Sequence, residues 1–190
     1  MASAAQAEAG FRDAALACLN GLYGYAMSLS HNQAEAENLV QETYLRAVRA
    51  CDQLAPGSNL KSWLYAILRN IWLNEIGHRN SGPRFVEMDD EEQSDVINQV
   101  RSDDDPHAEY VAKVERDSLR AALRQLPLQF REVLVLREFE GLSYQEIAEI
   151  LQCPAGTVMS RLGRAREKLR LLLSVAGIWP PVGTGDYEAL

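Results

Sequence analysis

Between Thr157 and Arg170 the sequence "TVMSRLGRAREKLR" sets two hydroxyls and five cations at spacings of three and four residues. On a helix Thr157, Ser160, Arg161, Arg164 and Lys168 share one stripe, with Met159, Arg166 and Arg170 on its flank. Hydroxyls and guanidinium groups hydrogen-bond to base edges in a major groove, and cations neutralise phosphates. The stripe therefore has the chemistry of duplex recognition, although a run of cations can also be a solvated helix face.

Two further sets are polar faces of other segments. In "SNLKSWLYAILRNIWLNEIGHRN" the residues Trp63, Ala66, Asn70, Asn74 and Gly77 fall down one side, with Lys61, Arg69, His78, Arg79 and Arg84 nearby. Aromatic faces stack on unpaired bases, amides read base edges and cations hold phosphates. Trp63 and Trp72 fit either this role or a core. In "AEAENLVQETYLRAVRACDQL" the outward residues are Asn38, Gln41, Glu42, Leu45 and Arg49, a face that suits protein docking. A single exposed leucine among polar groups is also ordinary.

Reaction chemistry has no counterpart. No paired carboxylates, nucleophile and base, or phosphate loop is present, so the chain does not read as an enzyme. Cys18, Cys51 and Cys153 are odd in number and never form a CxxC pair, while His31, His78 and His107 stand isolated. Neither a disulfide framework nor a metal site follows, and no cofactor is implied.

The elements that must carry these groups are helices, since apolar residues recur every three or four positions and no strand-length alternation is found. Ala36, Leu39, Val40, Thr43 and Ala47 form one inward stripe. Trp63, Tyr65, Ile67, Leu68, Ile71, Trp72, Leu73 and Ile76 exceed what one stripe can absorb, so some must meet a neighbour or partner. Pro127 suits a helix start and Gly141 a helix stop. Ser143 and Glu146 form a capping box, Ile147, Ala148 and Leu151 face inward, and "QCP" makes a short turn before Pro154 opens the last helix. There Val158, Leu162, Ala165, Leu169 and Leu172 point inward. The pattern is a helix-turn-helix.

Charge divides the chain. Residues 85–109 hold ten acids against Arg101 alone, a balance of −9 within a net charge of −8, so the remainder carries +1. Like charge and few core-forming residues mark a flexible connector between two helical halves. The segment reads either as a solvated linker or as an acidic competitor for a basic surface. No apolar run is long enough to span a bilayer, and the N-terminus lacks a secretory signal, so membrane insertion is not expected and a cytoplasmic location is.

The segments "AEAENLVQETYLRAVRA", "NLKSWLYAILRNIWLNE" and "LSYQEIAEILQCPAGTVMSRLGRAREKL" resemble bacterial sigma factors of the extracytoplasmic-function type, and the resemblance covers nearly the whole chain. It implies an all-α protein of two small non-catalytic domains: region 2 at 10–84 and region 4 at 110–174, joined by the acidic linker 85–109 and followed by an unassigned tail, 175–190. Asn38, Gln41, Glu42 and Leu45 match the face that docks on the clamp helices of the largest subunit of core RNA polymerase, where Asp is usual at Asn38. The α-helix around Asn70 and the loop before it match the part that captures the non-template single strand of the minus-10 element. Asn70 would read a base, with Asn59, Leu60, Lys61, Trp63 and Asn74 around it.

Thr157, Ser160, Arg161 and Arg164 match positions that face duplex promoter DNA at the minus-35 element, and Arg166, Lys168 and Arg170 would contact phosphate or only raise the local potential. Met159 stands where Lys is commonest and Gln152 where a turn glycine is frequent. A left-handed backbone at Gln152 would cost about 1 kcal/mol. The resemblance further implies a stress-responsive subunit held by an anti-sigma factor. The alternative is a stand-alone helix-turn-helix regulator of duplex DNA, which leaves the first half unexplained.

Overall fold

The structure, a computed structural model, describes residues 10–54, 57–81 and 106–178. Most of the linker and tail assigned from the sequence, and Arg84, lie outside these residues. The described chain is helical and contains no strand. A short helix over residues 10–16 (α1) leads into α2 (Leu19–Ser30), α3 (Gln33–Arg49), a 3-10 turn (Cys51–Gln53) and α4 (Leu60–Ser81). The second half comprises α5 (Pro106–Gln125), α6 (Leu128–Leu134) with a π-helical turn (Val135–Phe139), α7 (Tyr144–Leu151) and α8 (Ala155–Val175). Residues 106–109, read as linker, are thus the first turn of α5.

Local chemistry sets the boundaries. Asn32 Oδ1 accepts from the Glu35 amide at 3.0 Å, satisfying one of the open N–H groups of α3. The Ser143/Glu146 capping box forms as the sequence predicts. Pro127 and Pro154 occupy the N-cap positions of α6 and α8, one residue outside the helices they introduce. Gln152 is left-handed, at φ 52° and ψ 48°, because the turn between α7 and α8 is too short to reverse the chain otherwise.

The π-helical turn has no sequence signal of its own. The Glu140 amide reaches back to Val135 O at 3.2 Å, and Gly141 at φ 67° then ends the element. Widening the helix lets Val135 and Leu136 stay buried while Glu138 and Glu140 leave on different sides.

Packing follows the periodicity through most of the chain. α3 buries Ala36, Leu39, Val40, Thr43 and Ala47, and the Thr43 hydroxyl is satisfied by Leu39 O at 2.6 Å. In α8 Val158, Leu162 and Ala165 are buried. Leu169 and Leu172 are only half-buried, and Leu173 takes the inward position of the last turns.

The surplus of apolar groups on α4 is resolved by two partners. Leu64, Tyr65, Leu68, Ile71 and Trp72 are buried, and α4 packs against α2 and α3 on one side and α7 on the other. Ile150 is buried for the same reason; from the α7 pattern alone only Ile147, Ala148 and Leu151 pointed inward. One apolar cluster consequently runs through both halves. α2 meets the π-helical turn at Gly21, where a Cβ would overlap Glu140 Oε2 and the Tyr65 hydroxyl. A larger residue there would force the ends of those two side chains to shift.

Replacing Gln152 with glycine removes the left-handed penalty at the cost of some backbone entropy, for a net gain of about 0.5–1 kcal/mol. Thermal denaturation should show the midpoint of Gln152→Gly raised by about 1–3 °C. An unchanged or lowered midpoint would mean that the Gln152 side chain stabilises the turn.

Candidate functional site

α8 presents the polar stripe as spacing requires. With Val158, Leu162 and Ala165 buried against the other helices, Ser160, Arg164 and Lys168 are exposed, and Thr157 and Arg161 are half-exposed. Among the described residues Arg161, Arg164, Lys168 and Arg170 have no ion-pair partner, so their donors remain available to an anionic ligand. Two members are engaged differently. Ser160 Oγ donates to Thr157 O at 3.0 Å, and Arg166 donates to Glu138 Oε1 at 3.0 and 2.5 Å. Met159 is 51% exposed, an apolar group inside the polar stripe.

On α3 the inward stripe leaves Asn38 and Gln41 exposed, Glu42 half-exposed and Leu45 53% exposed. These four line a groove of about 520 Å³ whose opposite wall is Ile71, Asn74 and Glu75 of α4. Glu42 is held by Arg46 one turn on, at 2.7 Å. Asn74, grouped with Asn70 by spacing, therefore opens into the groove beside the α3 face.

Asn70 is exposed on α4. The other members of its set are more constrained. Leu60 is half-buried against the core, and Trp63 packs edge-on against Phe11, with ring centroids 6.5 Å apart. Trp72 is only 7% exposed, which makes it a core residue. Asn59 Oδ1 accepts from the Lys61 and Ser62 amides at 3.0 and 3.4 Å and so starts α4. Its amide nitrogen donates to Glu146 Oε1 of α7.

Lys61 is likewise occupied from the other half. Its Nζ lies 3.1 Å from Glu140 Oε2 and 2.6 Å from Glu140 O. Deeper in the interface Glu132 of α6, 4% exposed, accepts from Arg69 Nε at 2.8 Å and from the Tyr25 hydroxyl at 3.1 Å. Arg69 also reaches Ile150 O at 3.4 Å. Sequence reasoning singled out neither Glu132 nor Glu140. A signal was present in "FREVLVL", where Arg131 and Glu132 interrupt an apolar run. Both are buried, Arg131 donating to the carbonyls of Arg124 and Leu126.

These surroundings shift several groups. Burial, reinforced by the Glu132 carboxylate, pushes the Tyr25 phenol well above its ordinary value. Burial, then the neighbouring Glu140 carboxylate, raises the Tyr65 phenol too. Hydrogen bonds from Ser143 hold the Glu146 carboxyl below the usual range. The described residues contain no cluster that could hold a metal ion and no helix long and apolar enough to cross a membrane.

The chain matches the family Sigma-70 region 2 over residues 15–81 and the family Sigma-70, region 4 over residues 116–169. It is 40% identical over 166 residues to the ECF RNA polymerase sigma factor EcfG of Rhodopseudomonas palustris (strain TIE-1), covering 87% of this chain and 86% of that protein. Identity to the RNA polymerase sigma-H factor of Pseudomonas aeruginosa is 33% over 150 residues, 78% of either chain. The sigma factor RpoE of Bartonella quintana, solved in complex with the anti-sigma factor NepR, shares the fold with a TM-score of 0.66 at 33% identity, over 87% of this chain and 98% of that one. CnrH, solved in complex with the cytosolic domain of CnrY, gives a TM-score of 0.60 at 26% identity, over 90% and 95%. The chain belongs to the sigma-70 family of RNA polymerase sigma factors, in its extracytoplasmic-function group.

The raised Tyr25 phenol makes folding pH-dependent in a defined direction. The folded chain retains a proton that the unfolded chain releases near pH 10, so this stabilisation is complete below about pH 10 and declines above it. Urea denaturation between pH 8 and 11 should show the wild type losing stability more steeply than Tyr25→Phe. Equal slopes would remove Tyr25 from the alkaline transition.

Proposed function

We propose that the chain is a dissociable promoter-specificity subunit that docks on core RNA polymerase through α3, reads the minus-35 duplex with α8 and traps the melted minus-10 strand with α4. Supporting this reading, the region 4 match falls on a helix whose Arg161 and Arg164 lie unpaired beside short hydroxyl groups. The polymerase carries out the chemistry. Region 2 spans 10–84 and region 4 spans 110–174, with the acidic segment connecting them.

Each surface has a role set by its chemistry. Arg161 and Arg164 present planar donors suited to paired acceptors on a guanine edge, with Thr157 and Ser160 at the start of the helix for shorter contacts. Lys168 and Arg170 add positive potential toward phosphate, and Arg166 joins them once released from Glu138. Asn70 offers donor and acceptor to an unstacked base. Asn38, Gln41, Glu42 and Leu45 make a polar rim with an apolar anchor for the polymerase clamp helices.

An anti-sigma factor is the regulatory partner, by analogy with the solved relative bound to the anti-sigma factor NepR. The cytoplasm is the location that such partners require. A stand-alone regulator is disfavoured by the region 2 match at 15–81.

Core polymerase reconstituted with the purified chain should initiate at promoters selected from genomic DNA. Failure at every promoter, with tight duplex binding by the chain alone, would overturn the sigma assignment. Asn70→Ala should weaken opening and minus-10 discrimination while leaving polymerase binding intact; an unchanged sequence preference removes it from the site. Arg161→Ala should weaken minus-35 recognition by about 1–3 kcal/mol if the contact is bidentate to a base. A loss uniform across sequences would assign it to phosphate.

A further inference from the structure

The outward side of α8 is low in relief over its first turns, and one large apolar side chain stands out of it. Val158, Leu162 and Ala165 turn inward, while Gly156, Ser160 and Gly163 lie on the solvent side. Met159 is placed between the two glycines and is 51% exposed. Gly156 precedes it by three positions and Gly163 follows by four, so both share its face of the helix. A Cβ at either glycine would meet nothing within 4 Å, so packing does not exclude a side chain there. Each glycine nevertheless sacrifices helix propensity relative to alanine.

Bare backbone on the exposed side lets a ligand approach the helix closely. The polar neighbours of Met159 leave the same space free. Ser160 Oγ turns back to Thr157 O at 3.0 Å, and Arg166, two turns beyond Met159 on its flank, is drawn to Glu138 Oε1 at 3.0 and 2.5 Å. What projects here is a thioether. It carries no charge for phosphate and no donor for guanine N7 or O6. The apolar group that a base edge presents in the major groove is the C5 methyl of thymine. An unbranched, polarisable side chain can pack on that methyl from a range of approaches.

We propose that Met159 is a specificity-determining residue of the duplex-reading helix: its thioether packs against the C5 methyl of one thymine in the minus-35 element and so selects a T·A pair there. The inference rests on the assignment of α8 to the minus-35 duplex. Arg161, two positions on, lies about 200° around the helix on the opposite flank. Hydrogen-bonding and apolar readout are therefore carried on separate sides of α8.

Core polymerase reconstituted with the full-length chain tests this by competition binding, on promoter duplexes carrying each base pair in turn at every minus-35 position. The preferred duplex is then remade with each minus-35 thymine exchanged singly for deoxyuridine, which removes the methyl and keeps every hydrogen-bonding group. Wild type should prefer thymine at one position and bind about three- to fivefold more weakly without that methyl, the worth of one apolar carbon withdrawn from water. Met159→Leu should keep the dependence and Met159→Ala should lose it. Met159→Lys should also lose it, while steepening the salt dependence by about one phosphate contact. The position is exposed, so all three variants should fold as wild type does.

A wild type indifferent to every thymine methyl, or a methyl dependence that survives in Met159→Ala, overturns the proposal. The underlying assignment is judged on the same duplexes. If Arg161→Ala loses minus-35 discrimination while no methyl matters, methyl reading alone fails. If wild-type binding is indifferent to every minus-35 base pair, the assignment of α8 fails as well.

Discussion

A carboxylate inside an apolar core must be hydrogen-bonded or neutralised, and Glu132 finds its partners only across the chain. Arg69 and Tyr25 come from α4 and α2, whereas Glu132 sits on α6, so the charge is satisfied only when both halves meet. Around this point the interface is narrow in what it tolerates. A side chain at Gly21 would displace the ends of Glu140 and Tyr65, and the Ile150 carbonyl of α7 accepts from the Arg69 guanidinium. A pair of this kind adds little net stability beside apolar packing, but it penalises any other register of the halves.

That constraint divides the polar surface into two classes. α8 remains open because its buried stripe is consumed entirely within the C-terminal half, leaving Arg161, Arg164 and Lys168 to solvent. α4 has apolar groups for two neighbours, so its leading turns are drawn into the interface while Asn70 and Asn74 stay outside it. The groove between α3 and α4 is also exposed. The closed chain thus leaves the polar stripe of α8 and the α3 groove open while Asn59 and Lys61 are paired with Glu146 and Glu140.

The fold was largely legible in residue order. The inward stripe of α3, the capping box at Ser143 and the buried core of α8 follow from spacing, because each depends on contacts that repeat along one helix. The placement of the polar stripe of α8 was legible for the same reason: once the apolar side of α8 is known, the polar side has no other place to go. Less was visible around α4. Asn59 and Lys61 were named as neighbours of a melted strand, and the structure finds them paired with Glu146 and Glu140, residues some eighty positions away. Trp72 resolved as core, and Trp63 as an edge-on neighbour of Phe11.

Residue type and spacing decided that the chain is helical, where most helices start, and which side of α3 and α8 faces solvent, since those outcomes depend on interactions within a few turns. They could not decide which half covers α4, why a glycine stands at position 21, or that Arg131 and Glu132 are buried in an apolar run. Those outcomes depend on pairings between distant segments, where a charge is acceptable only because a specific partner arrives from elsewhere. The π-helical turn belongs with them: no local pattern announces it, and its geometry is set by the need to bury Leu136 while carrying Glu140 to Lys61.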